Sequence, residues 1–211
     1  AGGARYNTSY IQGVGIGTIT DSLSSIKFNV FDKKNFTMKQ MLELLEKNFE
    51  DKKEEREKLL FYTPKYGNDD DYADEITRRV FETYFKAIDG RPNARGGHFR
   101  INLLPTTCHV YFGSVLGATP DGRFAKEPVS EGISPVQGSD VHGPTSVIKS
   151  ASKLDHLRTG GTLLNQKFTP NFLETDEGIE KVLQLIRTYF KLDGHHIQFN
   201  VVNAETLREA Q

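Results

Sequence analysis

The run Thr106-Thr107-Cys108-His109-Val110-Tyr111 gathers hydroxyls, a thiol, an imidazole and a phenol into one short, otherwise apolar stretch. Residues 99–112 are mostly apolar and β-prone, which predicts a buried strand with its extension. On a strand, Thr106, Cys108 and Val110 share one face, and Thr107, His109 and Tyr111 share the other. Small hydroxyl and thiol groups on an interior face suit a shaped substrate pocket. They equally suit a packed core in which each polar group is satisfied. Nucleophilic use of Cys108 needs a base beside it, and the strand turns His109 away.

Other groupings point to less. Gly13-Val14-Gly15-Ile16-Gly17 lacks the spacing and the closing acidic residue of a dinucleotide loop, so glycines packing a strand against its neighbour account for it better. There is no phosphate-loop lysine signature and no nucleophile elbow. The six histidines do not pair at helical metal spacing. His195 and His196 are adjacent on a predicted strand, so they point to opposite faces, one of them toward the core. Asp69-Asp70-Asp71 suits a helix N-terminus, where free N–H groups favour carboxylates. A cation site there would lack the EF-hand spacing. No metal site is expected.

The elements that must position these residues alternate. Residues 14–20 read as a strand, with Asp21 capping a helix to about Val30. Thr37 and Gln40 match a capping box ahead of a helix with the apolar stripe Met38, Met41, Leu42, Leu45 and Phe49. Residues 51–58 read as a solvated helix face. A long helix follows the acidic triplet to Ile88 and stops at Asp89-Gly90 and Pro92. Residues 113–144 are dense in Gly, Pro, Ser and Asp, a length of loop that calls for a function. Then come a helix over 144–153, a strand over 162–168, a helix over 177–192 with Gly194 as its C-cap, a strand over 195–202, and a helix capped by Asn203. This alternation argues for an α/β fold with largely parallel strands.

The 211 residues carry 27 Lys+Arg against 28 Asp+Glu, so the net charge of -1 makes no case for nucleic acid or an anionic membrane. Mean hydropathy is -0.51, and no apolar run approaches the ~20 residues a membrane span needs. The single cysteine excludes an intrachain disulfide framework and fits a reducing, cytoplasmic setting. With no initiator Met and a helical pattern still running at Gln211, the chain reads as a fragment of a longer protein.

Taken together, a series of short motifs resembles the middle of the catalytic barrel of glycyl radical enzymes, the family of pyruvate formate-lyase and its dehydratase relatives. The motifs are Gly3-Ala4-Arg5-Tyr6-Asn7, Gly13-Val14-Gly15, Asp21-Ser22-Leu23 with Ile26-Lys27, and Gly67-Asn68-Asp69-Asp70. They continue with Gly117-Ala118-Thr119-Pro120-Asp121-Gly122-Arg123, Gly132-Ile133-Ser134-Pro135 and Gly143-Pro144-Thr145. Ser150-Ala151-Ser152-Lys153-Leu154 and His196-Ile197-Gln198-Phe199-Asn200-Val201 complete the series, which covers essentially the whole chain in order.

The resemblance implies part of a ten-stranded α/β barrel with surrounding helices. It divides the chain into a barrel portion, 1–120, and the start of a glycine radical domain, 121–211. It implies a glycine radical installed by a separate S-adenosylmethionine iron–sulfur activase, a cysteine thiyl that abstracts hydrogen from a small-molecule substrate, and in the dehydratases loss of a neighbouring hydroxyl. The cysteine loop is expected upstream of Ala1 and the Arg-Val-x-Gly-Tyr radical loop after Gln211, so no residue here is expected to be catalytic and no cofactor to be bound. Residues 104–113 match the strand lining the substrate cavity, which makes Thr106, Cys108 and Val110 substrate-binding candidates. The wording lies nearest the hydroxyproline dehydratases. Glycerol or propanediol dehydratases, a carbon–carbon lyase of the formate acetyltransferase type, and a catalytically incompetent half-barrel are the alternatives. A homodimer is the implied assembly.

Overall fold

The computed structural model describes Arg5 and residues 7–210; Gly3, Ala4 and Tyr6 of the opening motif lie outside the described residues. Four strands are present among these: β1 (Thr8–Gln12), β2 (His98–Asn102), β3 (Leu163–Phe168) and β4 (His196–Val201). β1 pairs in parallel with β2 from Thr8↔His98 to Gln12↔Asn102, and β3 with β4 from Leu163↔His196 to Phe168↔Val201. A parallel bridge between Leu103 and Thr162 joins the two pairs. It is reinforced by Gly160 N–H donating to Ile101 O at 2.7 Å and Leu103 N–H to Gly161 O at 2.8 Å. Parallel neighbours need crossover connections, and helices supply them. Helices α1 (Ile16–Ile26), α2 (Met38–Glu46), α3 (Lys53–Phe61) and α4 (Asp71–Ile88) lie between β1 and β2. Helices α5 (Cys108–Val115) and α6 (Pro144–Ala151) lie between β2 and β3, α7 (Asp176–Lys191) between β3 and β4, and α8 (Ala204–Glu209) after β4.

The period-two alternation of strands gives the sheet two unlike faces. Ile101, Leu103, Leu164, Phe168, Ile197 and Phe199 pack in one core with Phe81 of α4, Ile148 of α6, and Leu185 and Tyr189 of α7. Each such side chain contributes roughly 1.5–3 kcal/mol when fully buried. By register the opposite face carries Tyr10, Gln12, Arg100, Asn102, Asn165, Lys167, His196, Gln198 and Asn200. A smaller core of Phe36, Met41, Leu44, Phe49 and Leu59 holds α2 and α3.

Local signals set most helix starts as expected. Thr37 Oγ1 accepts from Gln40 N at 3.2 Å while Gln40 Oε1 accepts from Thr37 N at 2.8 Å, a complete capping box. Asp70 Oδ1 accepts from Tyr72 N at 2.9 Å, and Asn203 Oδ1 from Thr206 N at 2.7 Å. In α2, Met41 is buried with Leu44, whereas Met38 and Leu42 face solvent.

Four expectations need correction. Residues 14–20 form no strand: Gly15, at φ 84°, precedes α1, and Asp21 lies inside that helix rather than capping it. Tertiary bonds override the β-prone sequence. Thr18 N–H, a free first-turn donor, reaches Ser130 Oγ at 3.0 Å, and Thr18 Oγ1 accepts from Ser130 N at 2.8 Å. The close approach anticipated for the glycines is real at Gly17, where a Cβ would lie 2.9 Å from Ser134 O, but the neighbour is a loop. Second, the strand predicted over 99–112 ends at Asn102, and 108–115 is helical. Third, Asp193 at φ 61°, not Gly194, takes the left-handed position after α7; Gly194 is small because a Cβ would lie 2.4 Å from the Tyr189 ring. Fourth, His195 and His196 are both exposed. The buried histidine is His156, held between Thr162 Oγ1 at 2.8 Å and Ala151 O at 3.0 Å, and burial pulls its pKa below the usual histidine value.

Candidate active site

Beyond Asn102 the chain passes the Leu103 bridge and reaches Thr106 and Thr107, a turn at the C-terminal end of β2. Sites in parallel α/β folds form at this end of the strands, where loops converge. Thr106 and Cys108 are exposed there, Cys108 as a free thiol in the first turn of α5. Thr107 precedes the helix without a side-chain cap. Val110 is 50% exposed. At about 100° per residue, Cys108 and Val110 sit about 200° apart around α5, so the three candidates do not share one strand face. They are neighbours on a turn and a helix, and their side chains are exposed rather than packed in the core of this chain.

The turn is backed by residues 116–143, which contain no helix or strand. Arg123 organises this segment. Its guanidinium donates to the carbonyls of Phe124 at 3.0 Å, Glu127 at 2.6 Å and Gly117, and to Thr119 Oγ1 at 3.0 Å. Lys65 Nζ donates to Asp121 O at 2.9 Å, and Asn68 Nδ2 to Ser139 O at 2.7 Å. Tyr66 O–H donates to Ile133 O at 2.8 Å, and Ile133 N–H pairs with Leu163 O at 2.9 Å. Asn165 N–H donates to Ser134 Oγ at 2.9 Å, so the loop runs along β3 where β2 has left it. Inside α1, Asp21 Oδ1 accepts from Tyr66 N at 2.8 Å. Complete burial pushes the Asp21 carboxyl up to about 7.

The acidic triplet is accounted for by lysine. Lys153 Nζ lies 3.3 Å from Asp69, 2.8 Å from Asp71 and 2.6 Å from Asp74, and Lys149 adds a 3.0 Å contact to Asp69. An ammonium thus stands where a cation would. No three His, Cys, Asp or Glu side chains come together as metal ligands among the described residues. No described helix is long and apolar enough to cross a membrane.

The polar face of the sheet escaped the sequence reading. Asn102 Oδ1 and Asn165 Oδ1 on that face, and His109 Nδ1 at the start of α5, are buried without hydrogen-bond partners. Unpaired polar atoms of this kind suit hydrogen bonds from a polar ligand or from another segment. The alternation in His196-Ile197-Gln198-Phe199-Asn200-Val201 was the available signal, since it places amides opposite an apolar core face.

A parallel layer with helices packed on one face, an amide-rich opposite face and a hydrogen-bonded loop at the strand ends is the architecture of a segment of an α/β barrel. The family model for pyruvate formate lyase-like proteins matches residues 1–113, and that for the glycine radical region matches residues 129–211. The chain belongs to the pyruvate formate lyase-like family. It is 57% identical over 210 residues to trans-4-hydroxy-L-proline dehydratase of Clostridioides difficile, matching 100% of this chain and 27% of that protein. The crystal structure of hydroxyproline dehydratase from the same organism, with trans-4-hydroxy-L-proline bound, superposes with a TM-score of 0.97 over 100% of this chain and 27% of its own. The glycerol-bound B12-independent glycerol dehydratase of Clostridium butyricum gives 0.93 at 44% identity over the same shares. The chain therefore spans about a quarter of the length of the relatives it matches, and its α/β layer is a fragment of the glycyl radical enzyme barrel.

Proposed function

We propose that this chain is the pocket-bearing part of an anaerobic glycyl radical dehydratase that removes water from trans-4-hydroxy-L-proline. The observation that carries the reading is the 57% identity along the whole chain to the hydroxyproline enzyme, against 44% to the glycerol enzyme. The glycine radical and the thiyl cysteine would come from other parts of the longer protein, and a separate S-adenosylmethionine iron–sulfur activase would install the radical. The residues of this chain bind and orient. The Thr106 hydroxyl would donate to the substrate carboxylate or accept from the ring nitrogen, while Cys108 and Val110 shape the pocket wall. A water-poor barrel interior strengthens such polar contacts and holds the reacting atoms in place. We further propose the division at 120/121, which falls between the two family-model matches, a homodimeric assembly and a cytoplasmic location.

The test is an anaerobic assay of the full-length, activated protein. Dehydration of trans-4-hydroxy-L-proline in preference to glycerol and propane-1,2-diol is the expected result. Turnover of a diol, or a carbon–carbon cleavage, would move the protein to another branch of the family. No turnover of any candidate would favour a complementing half-barrel. Thr106→Val should raise KM about three- to tenfold, the cost of one lost hydrogen bond in a desolvated site. An unchanged KM removes Thr106 from the pocket.

A further inference from the structure

We infer that His109 and Glu131 form a positioning pair that fixes the first turn of α5, and with it Thr106 and Cys108, against the loop behind it. The pairing deepens the proposed function, and its kinetic arm rests on that reading.

Helix α5 has few anchors. Gly113 is its only buried residue, and the side chains of Val110, Tyr111, Phe112 and Val115 face outward. Its N-terminus has no side-chain cap. What holds it is concentrated on one side. His109 O accepts from Val129 N at 3.2 Å, and Gly113 rides so close to the chain that a Cβ would lie 2.2 Å from Glu127 O. His109 Nε2 lies 3.8 Å from Glu131 Oε2, with only 16% and 17% of the two side chains exposed. Among the described residues this is the one side-chain polar contact from α5 to another element. Ser114 donates to Tyr111 O at 2.7 Å within the helix.

Glu131 is itself well held. Its carbonyl accepts from Ser134 N at 2.9 Å, Ser130 beside it is locked to Thr18, and Ile133 is bonded to β3. The pair thus connects a loosely attached helix to a fixed point. Neither side chain needs to touch the substrate. Both act through the position of the turn that presents Thr106 and Cys108. At 3.8 Å the two groups are in polar contact rather than a short hydrogen bond, and their partial burial shields that contact from solvent.

The test uses the full-length protein carrying this chain and reads two quantities. Amide hydrogen exchange reports local opening of α5 independently of chemistry. His109→Ala should speed exchange over residues 108–116 roughly tenfold and leave α7 unchanged. It should raise KM roughly fivefold while kcat stays within about twofold, the signature of a displaced binding group. His109→Gln, whose amide nitrogen sits where Nε2 was, should restore both quantities, whereas His109→Asn, which mimics Nδ1, should not. Glu131→Ala should reproduce the His109→Ala exchange pattern and serves if His109→Ala fails to fold. The inference is overturned if α5 exchange is unchanged in both alanine variants, or if Asn rescues as well as Gln. If exchange responds but the unmodified protein does not turn over hydroxyproline, the substrate reading fails and the positioning pair stands.

Discussion

Residues 116–143 contain no regular structure, yet Asp121, Arg123, Ser130, Ile133 and Ser134 are buried there. Helix α5, directly before them, is regular and buries only Gly113. In the loop, side chains do the work that a backbone ladder does elsewhere: Arg123 takes three carbonyls, Asn68 takes Ser139 O, and Ser130 and Thr18 exchange two bonds. In α5 the backbone ladder is largely internal, so its placement rests on a few contacts along one side, at His109 and Gly113. Local order comes from main-chain bonds, while placement comes from buried contacts to something else. At this site the irregular segment is the scaffold and the helix is the part that needs placing.

The largest effect should come from breaking the scaffold. Arg123→Ala removes the guanidinium donor from the carbonyls of Gly117, Phe124 and Glu127, of which Phe124 O keeps only a long bond from Glu127 N at 3.4 Å. We expect a loss of about 3–5 kcal/mol, the range for dismantling a buried charged network, read from the denaturant midpoint. A loss below about 1 kcal/mol, the level of a single ordinary hydrogen bond, would show that the loop is held by other means.

The next effect is a pH dependence in the same network. Asp21 titrates near 7 in the fold because burial disfavours its charge, against the ordinary aspartate value of 3.8. Between those values the unfolded chain gives up this proton while the folded one keeps it, so this group's contribution falls as pH rises from about 4 to 7 and is flat above. A tenfold change in proton affinity corresponds to about 1.36 kcal/mol, so the full contribution is on the order of 4 kcal/mol. Asp21→Asn keeps an acceptor for Tyr66 N and removes the charge. It should flatten the thermal midpoint between pH 4 and 7 and raise it at pH 8. A slope unchanged by the substitution would assign the pH dependence to another group.

The two regions also differ in how far they could be read. The capping box at Thr37, the Asp70 and Asn203 caps, the α7 helix and the irregular run after α5 are all written locally. So is the parallel α/β class, through alternation of helical and strand patterns. Residues 14–20 and 106–112 mislead for one reason. Val, Ile, Thr, Tyr and Phe favour strands when taken alone, and both segments become helical through partners far along the chain. Thr18 finds Ser130, and Gly113 seats α5 on Glu127. A sequence holds no distance between residues 18 and 130. Thr106, Cys108 and Val110 lie close together and exposed, but the strand face they were expected to share does not exist. The partners that hold them, His109 with Glu131 and the amides Asn102 and Asn165, become visible only with the register.

A smaller effect should separate placement from global stability. Gly113→Ala puts a methyl 2.2 Å from Glu127 O and 2.5 Å from Pro128 Cα, both backbone atoms that yield little. The cost of such overpacking is about 1–3 kcal/mol, and α5 can relieve most of it by lifting off. We expect a modest shift in the unfolding midpoint together with much faster exchange over residues 108–116. Should global stability fall while α5 exchange stays slow, the helix would be as firmly held as the loop, and the contrast between them would collapse.

The smallest effect concerns the outward face of α5. Val110 is 50% exposed and Tyr111 68% exposed, so truncating either removes little buried surface. In this chain Val110→Ala should change stability by no more than about 0.5 kcal/mol, the usual range for a surface site. Ile133→Ala in the irregular loop, with that side chain fully buried, should cost about 2–5 kcal/mol. The order of the two values matters more than their size: Ala is the better helix former, so propensity gives no cost at Val110, and the cost at Ile133 comes from burial alone. In the full-length protein the same Val110→Ala reads differently. If the face is a pocket wall, as proposed, KM for the substrate rises while the unfolding midpoint stays put. If instead stability falls there and not in the shorter chain, Val110 packs against another part of the longer protein, and its place in the pocket is lost.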